Sequence, residues 1–400
     1  MIIEPNIKMN VSFNAHPLGM KAYILEQANE LKQLPQFDGP KTALIIGGST
    51  GYGLATRLAL GLNAKTNIIN LSYETAPTDK RTGSAGYWNN IFANELLSAE
   101  GVHTKDFLGD AFADETKERV GQYIKDNFGK IDLVIYSLAS GKRKDPKTSI
   151  MHSSTLKVIG TELTGYAFDL NTKTLAKRTI APATETDIAN TVKVMGGEDW
   201  QLWIDYLLAH DLVAENFKTI AYSYIGPEAT KRIYREGTIG KAKEHLEKTA
   251  HELNHVLEQK VLGHAATAVC KAAITRASAV IPVVPIYGAA LMKVMEEKGI
   301  EELPHQHIYR LLHDMVYGNK PEIDDAKRYR PDMWEMRTDV QAEVQKIMEQ
   351  ITPENVNELV PTDKFVQLFL EQNGFGFTNI DYTQDVDINA LLIDNPIEMI

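Results

Sequence analysis

Cysteine is nearly absent: Cys270 is the only one in 400 residues. A lone thiol excludes an intrachain disulfide and any zinc-ribbon spacing, and its apolar neighbours fit an inert buried side chain. Basic residues are also in deficit, since 42 Lys and Arg against 53 Asp and Glu give a net charge of −11. Wholesale nucleic-acid binding needs a concentrated basic surface, so no nucleic-acid partner is expected. Long apolar runs are missing too. The longest uncharged stretch, Ala277 to Met292, falls short of the roughly 18–20 residues of a membrane helix and contains Pro282 and Pro285. The opening Met1-Ile2-Ile3-Glu4-Pro5 has no basic region followed by an apolar run, so no secretory signal is read there and the cytoplasm is the default location. There is no internal repeat, no low-complexity tract and no cluster with metal-ligand spacing. His245, His251 and His255 fall in a segment rich in Lys and Glu and read as surface histidines.

What is present is an α/β rhythm. With 44% hydrophobic residues the chain can build a sizeable core, and α/β enzymes with insertions run to this length as one unit. Short β-branched runs at Ala43–Ile46, Asn67–Ser72, Val102–Leu108, Ile131–Ser137, Thr219–Tyr224 and Ala266–Val269 read as strands. Gly53–Leu62, Tyr87–Ala99, Asp114–Phe128 and Gly240–Glu258 read as helices. The alternation predicts a single Rossmann-type domain, a doubly wound parallel sheet with helices on both faces. Residues 1–40 form an N-terminal cover, with Asn14-Ala15-His16-Pro17 as a turn or extended segment. Residues 141–198 are an insertion containing a small hairpin that turns near Asn171-Thr172. Residues 295–400 are mostly helical in pattern, and the tail Asp381–Ile400 has no assignable place.

Gly47-Gly48-Ser49-Thr50-Gly51-Tyr52-Gly53 follows the first strand and opens a helix. Glycine permits a tight turn and lets the backbone approach a pyrophosphate, which then meets free amides at the helix N-terminus. An ordinary Gly-rich turn is the competing reading, and the strand–turn–helix order favours a dinucleotide. Glu74, after the second strand, is placed to bond the adenosine ribose hydroxyls and to repel a 2′-phosphate, which favours NADH over NADPH. A solvated acid is the bland alternative, and nearby Lys80 and Arg81 weaken the inference. Asp110-Ala111 is either an adenine contact or a turn before the next helix, and Ser137-Leu138-Ala139-Ser140 leaves room for a ribose and nicotinamide.

Rossmann-type reductases without a metal commonly use a tyrosine to supply the proton and a lysine to lower its pKa. Tyr224 ends the fifth strand, Tyr234 lies ten residues on, and Lys241 and Lys243 follow. On one continuous helix, Tyr234 and Lys243 would sit about 13.5 Å apart along the axis and point to opposite sides. Gly237 and Gly240 offer a break that would fold the tyrosine over the helix start. Spacing alone leaves Lys241 and Lys243 equal, and Tyr224 remains a candidate for contact with a substrate carbonyl. Lys142, Arg143, Lys144 and Lys147 read as a solvated loop, with phosphate contact as the sharper alternative.

Through Gly47–Leu54, Tyr136–Ser140, Val192–Trp200 (VKVMGGEDW), Ala221–Thr230 (AYSYIGPEAT), Gly237–Leu246 (GTIGKAKEHL) and Thr275–Pro282 (TRASAVIP), the chain resembles the FabV-type enoyl-ACP reductases, also called trans-2-enoyl-CoA reductases. The resemblance spans most of the chain. It implies a tyrosine-x8-lysine pair, Tyr234 and Lys243, with Tyr224 touching substrate. It also implies that Gly47–Tyr52, Tyr73-Glu74, Asp110-Ala111, Leu138-Ala139 and Ala273-Ile274-Thr275 line an NADH site. Ala273 and Ile274 stand where the family usually has Leu and Val, and Thr75 where lysine is frequent. The implied reaction is reduction of the 2,3 double bond of an enoyl-CoA or an enoyl group on acyl carrier protein. A carbonyl reductase on the same scaffold and a non-catalytic NADH-binding sensor are the alternatives. No oligomeric state follows from the sequence.

Overall fold

A central sheet of seven strands, all parallel, organises the protein. The computed structural model describes residues 1–274, 281, 283–393 and 395–400. The strands are β1 (Thr42–Ile46), β2 (Asn67–Ser72), β3 (Thr104–Leu108), β4 (Ile131–Tyr136), β5 (Val213–Ser223), β6 (His264–Val269) and β7 (Ile397–Met399), in spatial order β6-β5-β4-β1-β2-β3-β7. All five residues of β1 are buried, as a central parallel strand covered on both faces requires. Side-chain alternation divides them: Ala43 and Ile45 enter one core, Leu44 and Ile46 the other.

The first core packs α1 (Pro17–Leu31), α2 (Gly51–Asn63) and α3 (Ala85–Ala99) onto the sheet. The second packs α4 (Asp114–Asn127), α6 (Glu198–Ala209) and α7 (Thr238–Val261) on the opposite face, α5 (Glu185–Met195) lying in the insertion. The strand order reverses between β1 and β4, which opens a crevice at their carboxyl ends. The C-terminal part adds α8 (Val284–Glu297), α9 (Pro304–Arg310), α10 (Thr338–Gln350) and α11 (Thr362–Glu371). Of these, α8, α10 and α11 close a third core with Phe168 and Leu175 of the insertion hairpin.

The expected strands and helices are present with ends moved by a few residues, except that β5 starts earlier, at Val213. The hairpin pairs Leu163–Asp169 with Thr174–Ile180, and the Asp169 carboxylate accepts the Asn171 and Thr172 amides at 2.9 and 3.0 Å. Asn14–His16 is non-helical, as expected, and leads into a 15-residue helix. Pro17 occupies the first helical turn, where its missing N–H costs nothing, and the His16 ring accepts the Gly19 amide at 3.3 Å. Ile397–Met399 of the unassigned tail completes the sheet by pairing with Asp106–Leu108, a three-residue strand too short to show periodicity. Arg143 is buried rather than solvated, donating to the Lys193 carbonyl and the Glu198 carboxylate, each at 2.7 Å.

Candidate active site

The glycine loop sits on the β1–β4 crevice because backbone bonds extend the sheet into it. Gly47 N–H donates to the Leu71 carbonyl, and Ser137 N–H donates to that of Ile46, both at 2.8 Å. Gly47 has φ of +93°, and a Cβ there would overlap the Ser137 carbonyl. A Cβ on Gly53 would overlap the Gly47 carbonyl, so that glycine lets α2 close on the turn. Gly51, at φ of +54°, has open space where its Cβ would stand. Gly47, Ser49, Thr50, Gly51 and Tyr52 line a cleft of about 690 Å³ with Tyr73, Glu74, Asp110, Ala111, Leu138 and Ala139. That volume lies within the roughly 300–1,000 Å³ of cofactor sites. Gly48 faces the sheet instead, its missing Cβ leaving space for Asn70.

Glu74 is held in place. Its two oxygens accept the Ser49 and Ser84 hydroxyls at 2.6 and 2.5 Å, and a Cβ at Gly86 would strike its carboxylate. Lys80 and Arg81 line a separate groove with residues of the N-terminal segment. Tyr73 is 82% exposed at the cleft rim. Asp110 serves its turn while lining the cleft, accepting the Phe112 amide at 2.9 Å. The Ala111 carbonyl accepts buried Lys117 at 3.2 Å and Trp203 at 3.0 Å, fixing that wall.

At the end of β5 the chain brings Tyr224 and Tyr234 together, ring centroids 4.7 Å apart, edge to face. Tyr234 lies on a turn folded over the start of α7, as Gly237 and Gly240 suggest. A Cβ at Gly240 would overlap the Arg235 carbonyl and approach that of Tyr234 to 2.5 Å. Contrary to the lowering expected from a lysine partner, burial, then the charge of Glu335, raises the Tyr234 hydroxyl above the ordinary phenol range, so it stays protonated. Lys243 is on the inner side of α7, donating to the Tyr222 carbonyl at 3.0 Å, and burial lowers it to about 8. Lys241 instead pairs with Glu244 at 2.9 Å on an exposed face. The structure thus separates two lysines that spacing left equal.

Residues 271–274, after β6, reach a smaller adjoining cavity of about 90 Å³. Ala273 and Ile274 line this cavity rather than the cleft, while Tyr23 and Gln372 line both. Thr275, expected beside them, lies outside the described residues, as does part of the apolar stretch from Ala277. Sequence reasoning placed Tyr52 in the cofactor loop but missed the contacts that anchor this segment. Tyr52 donates to the Lys271 carbonyl at 2.7 Å, and the His307 ring accepts the Lys271 amide at 3.3 Å. Burial lowers His307 to about 4, so it is neutral; its Nδ1–H goes to Glu302 at 3.0 Å and Nε2 is left to accept. Glu335 takes the Ala272 amide at 2.6 Å. The one available signal for it was an acid flanked by Met333, Trp334 and Met336. His245 also departs from expectation: its Nδ1 accepts the Gly197 amide at 3.0 Å, satisfying a donor at the start of α6.

A parallel sheet with a dinucleotide-sized cleft at its switch point and a pair of half-buried phenols at the next strand end defines a Rossmann-type oxidoreductase of the nicotinamide class. The description "Trans-2-enoyl-CoA reductase catalytic region" matches residues 81–317, and "NAD(P)H binding domain of trans-2-enoyl-CoA reductase" matches residues 2–79. The chain is 46% identical to the NADH-dependent trans-2-enoyl-CoA reductase of Clostridium beijerinckii, covering 98% of this chain and 99% of that one. It is 41% identical to an NADH-dependent enoyl-[acyl-carrier-protein] reductase of Photobacterium profundum, with coverage of 98% and 99%. The crystal structure of the Clostridium acetobutylicum trans-2-enoyl-CoA reductase with NADH superposes with a TM-score of 0.96 at 43% identity, covering 98% of this chain and 99% of that one. The chain belongs to the trans-2-enoyl-CoA reductase family.

A third description, "Enoyl reductase FAD binding domain", matches residues 323–386. That segment does not fit a flavin. It contributes only Gln372 to the lining of the large cleft, and Leu368, Glu371 and Gln372 to a cavity of about 90 Å³ that also carries Glu26, Glu30, Glu301 and Glu302. The space is too small for a flavin ring system, and those carboxylates would repel its phosphates.

Proposed function

We propose that the protein reduces the 2,3 double bond of trans-2-enoyl thioesters carried on coenzyme A or acyl carrier protein, with NADH as reductant, as a step of fatty acid synthesis. The observation that carries this reading is the Tyr224–Tyr234 pair, two half-buried phenols held protonated at the carboxyl end of β5, the strand next to β4. NADH supplies a hydride to the β-carbon, and negative charge then develops on the thioester oxygen. The Tyr234 hydroxyl, seconded by Tyr224, donates a hydrogen bond to that oxygen, and a proton taken from water at the α-carbon completes the reduction, leaving NAD⁺ and the saturated thioester. Lys243 has two ammonium hydrogens beyond the one given to Tyr222, enough to hold the nicotinamide ribose. Gly47 to Gly53 hold the pyrophosphate turn, Tyr73 and Glu74 the adenosine ribose, Asp110 and Ala111 the adenine, and Leu138 and Ala139 the nicotinamide half. Ala273 and Ile274, which line the adjoining cavity, sit next to that site on the acyl side.

Tyr234 shows burial and Glu335 as the influences on its acidity, both keeping the proton on. The phenol therefore acts as a neutral donor, a role that suits an enolate better than proton abstraction would. The working location is the cytoplasm, with no stable membrane insertion and no nucleic-acid partner. Among the described residues no helix is long and apolar enough to cross a membrane.

Following NADH oxidation spectrophotometrically with crotonyl-CoA and with a β-ketoacyl thioester tests the reading. Oxidation with the first supports it; oxidation with the second alone would make the protein a carbonyl reductase, and NADH binding without turnover a sensor. Glu74→Ala should weaken NADH by about 10–100-fold, the worth of a charge-assisted hydrogen bond, and leave NADPH unchanged or improved. Comparing KM for the two nucleotides checks this, and an unchanged NADH:NADPH preference would remove Glu74 from cofactor selection.

A further inference from the structure

Behind the tyrosine pair lies a carboxyl group that the mechanism above does not use. Glu335 follows the short 3-10 turn Pro331–Trp334, and it is 1% exposed. Its Oε2 accepts the Ala272 amide at 2.6 Å. Its Oε1 accepts two hydroxyls, Tyr287 of α8 at 2.6 Å and Tyr224 at 3.3 Å. Gln341 of α10 donates to the Tyr287 oxygen at 3.1 Å and to the Glu335 carbonyl at 2.7 Å. One residue therefore ties the segment after β6 to the phenol nearest Tyr234.

Resting on the reading that Tyr224 faces the substrate, we propose that Glu335 is a positioning residue, whose protonation state sets which way the Tyr224 hydroxyl hydrogen points. The argument is an accounting of hydrogens. An amide N–H always needs an acceptor, so Oε2 stays unprotonated and any proton must sit on Oε1. With the group ionised, Oε1 draws the Tyr224 hydrogen to itself, and the tyrosine offers the substrate only a lone pair. With Oε1 protonated, it can no longer accept both hydroxyl hydrogens, and the bond that gives way is the longer one, Tyr224 at 3.3 Å rather than Tyr287 at 2.6 Å. The Tyr224 hydrogen is then released toward the thioester oxygen, where it joins that of Tyr234.

The surroundings place this exchange in an accessible range. Burial pushes Glu335 up to about 7 and Asp332 adds to the rise, opposed by Tyr287, the Ala272 amide and Lys271. The facing groups are otherwise engaged: Lys271 with Glu301 at 2.9 Å, Asp332 with Arg330 at 2.7 Å, and Arg310 with Glu302 at 2.6 Å while it stacks over Trp334. Tyr52, Tyr224, Tyr234 and Tyr287 are all raised by the Glu335 charge, after burial, and remain neutral.

The test is the single-turnover rate of NADH oxidation with crotonyl-CoA against pH. In the unaltered protein the rate falls as pH rises through about 7. It falls toward the level of Tyr224→Phe, a loss bounded by the roughly 10²–10³-fold that one oxyanion donor is worth. In Glu335→Gln the side-chain carbonyl keeps the Ala272 amide and the NH2 donates to Tyr224 at every pH, so the fall disappears. In Tyr224→Phe, where Glu335 is intact, the fall also disappears, which keeps the test open should the glutamine variant fold poorly. A pH profile in either variant that still falls through the same interval overturns the proposal, leaving enoyl reduction itself standing. No NADH oxidation with any enoyl thioester in the unaltered protein removes both.

Discussion

Tyr234→Phe is expected to lower the rate of crotonyl-CoA reduction by roughly 10²–10⁴-fold, the range lost with a positioned general acid. NADH affinity should change little. The phenol ring packs against Tyr224, and phenylalanine keeps that edge-to-face contact, so the turn over α7 should survive. What is removed is one hydrogen aimed at the oxygen on which charge develops. Because burial and Glu335 hold that hydrogen in place, no change of pH within the folded range restores the function by ionisation. The loss should fall on kcat rather than on KM, since the bond strengthens as the enolate forms. Steady-state kinetics with NADH fluorescence titration checks both halves, and unchanged turnover would remove Tyr234 from the reaction. Tyr224→Phe should cost less at alkaline pH than at acid pH, where its hydrogen faces the substrate.

The sequence carried the frame of this site well, because the frame is local. Strand, glycine turn and helix are consecutive, so Gly47, Gly51 and Gly53 announce a dinucleotide turn before any tertiary contact is known. Glu74 was legible for the same reason, one strand further on. Gly237 and Gly240 likewise disclosed the turn bearing Tyr234, since each permits a close backbone approach that a Cβ would block. The choice between Lys241 and Lys243 was not in the spacing; the resemblance made it, and the inward side of α7 supplies the physical reason.

What could not be read depends on contacts across long separations. Glu335 reaches Tyr224 over 111 residues and Tyr287 over 48, and no periodic pattern marks it. His307 is one of eleven histidines, and only its burial against Glu302 shows that it is a neutral acceptor for the Lys271 amide. The strand Ile397–Met399 exists only because β3 offers an unpaired edge. Arg143 looked like one of four basic loop residues, yet it is buried while Lys142, Lys144 and Lys147 are exposed. Charge alone does not distinguish a solvated loop from a buried anchor.

Asp106→Ala should produce the largest loss of stability, about 3–5 kcal/mol, because it leaves a buried cation without its partner. Asp106 and Arg57 are both 0% exposed, and the guanidinium meets the carboxylate through two bonds of 2.7 Å. Asn70 and Asn94 donate to the same carboxylate at 2.8 and 2.9 Å, so four bonds converge on one side chain. Thermal melting would show the loss as a lowered Tm. Replacing both partners, Arg57→Met with Asp106→Leu, should recover much of it, since an apolar pair avoids the desolvation cost of two charges. Cofactor affinity should not recover in step. Asn70 stands where a Cβ of Gly48 would be, and Asn90 links Asn70 to Ser72 at the end of β2 through bonds of 3.0 and 2.8 Å. With Asp106 gone, Asn70 loses the nearer of the two acceptors that fix its amide beneath the glycine turn. The double variant should therefore melt well above Asp106→Ala yet bind NADH more weakly than the unaltered protein, and the increase in Tm on adding NADH should shrink. Full recovery of NADH binding would mean that the buried pair serves folding alone and does not shape the floor of the cleft.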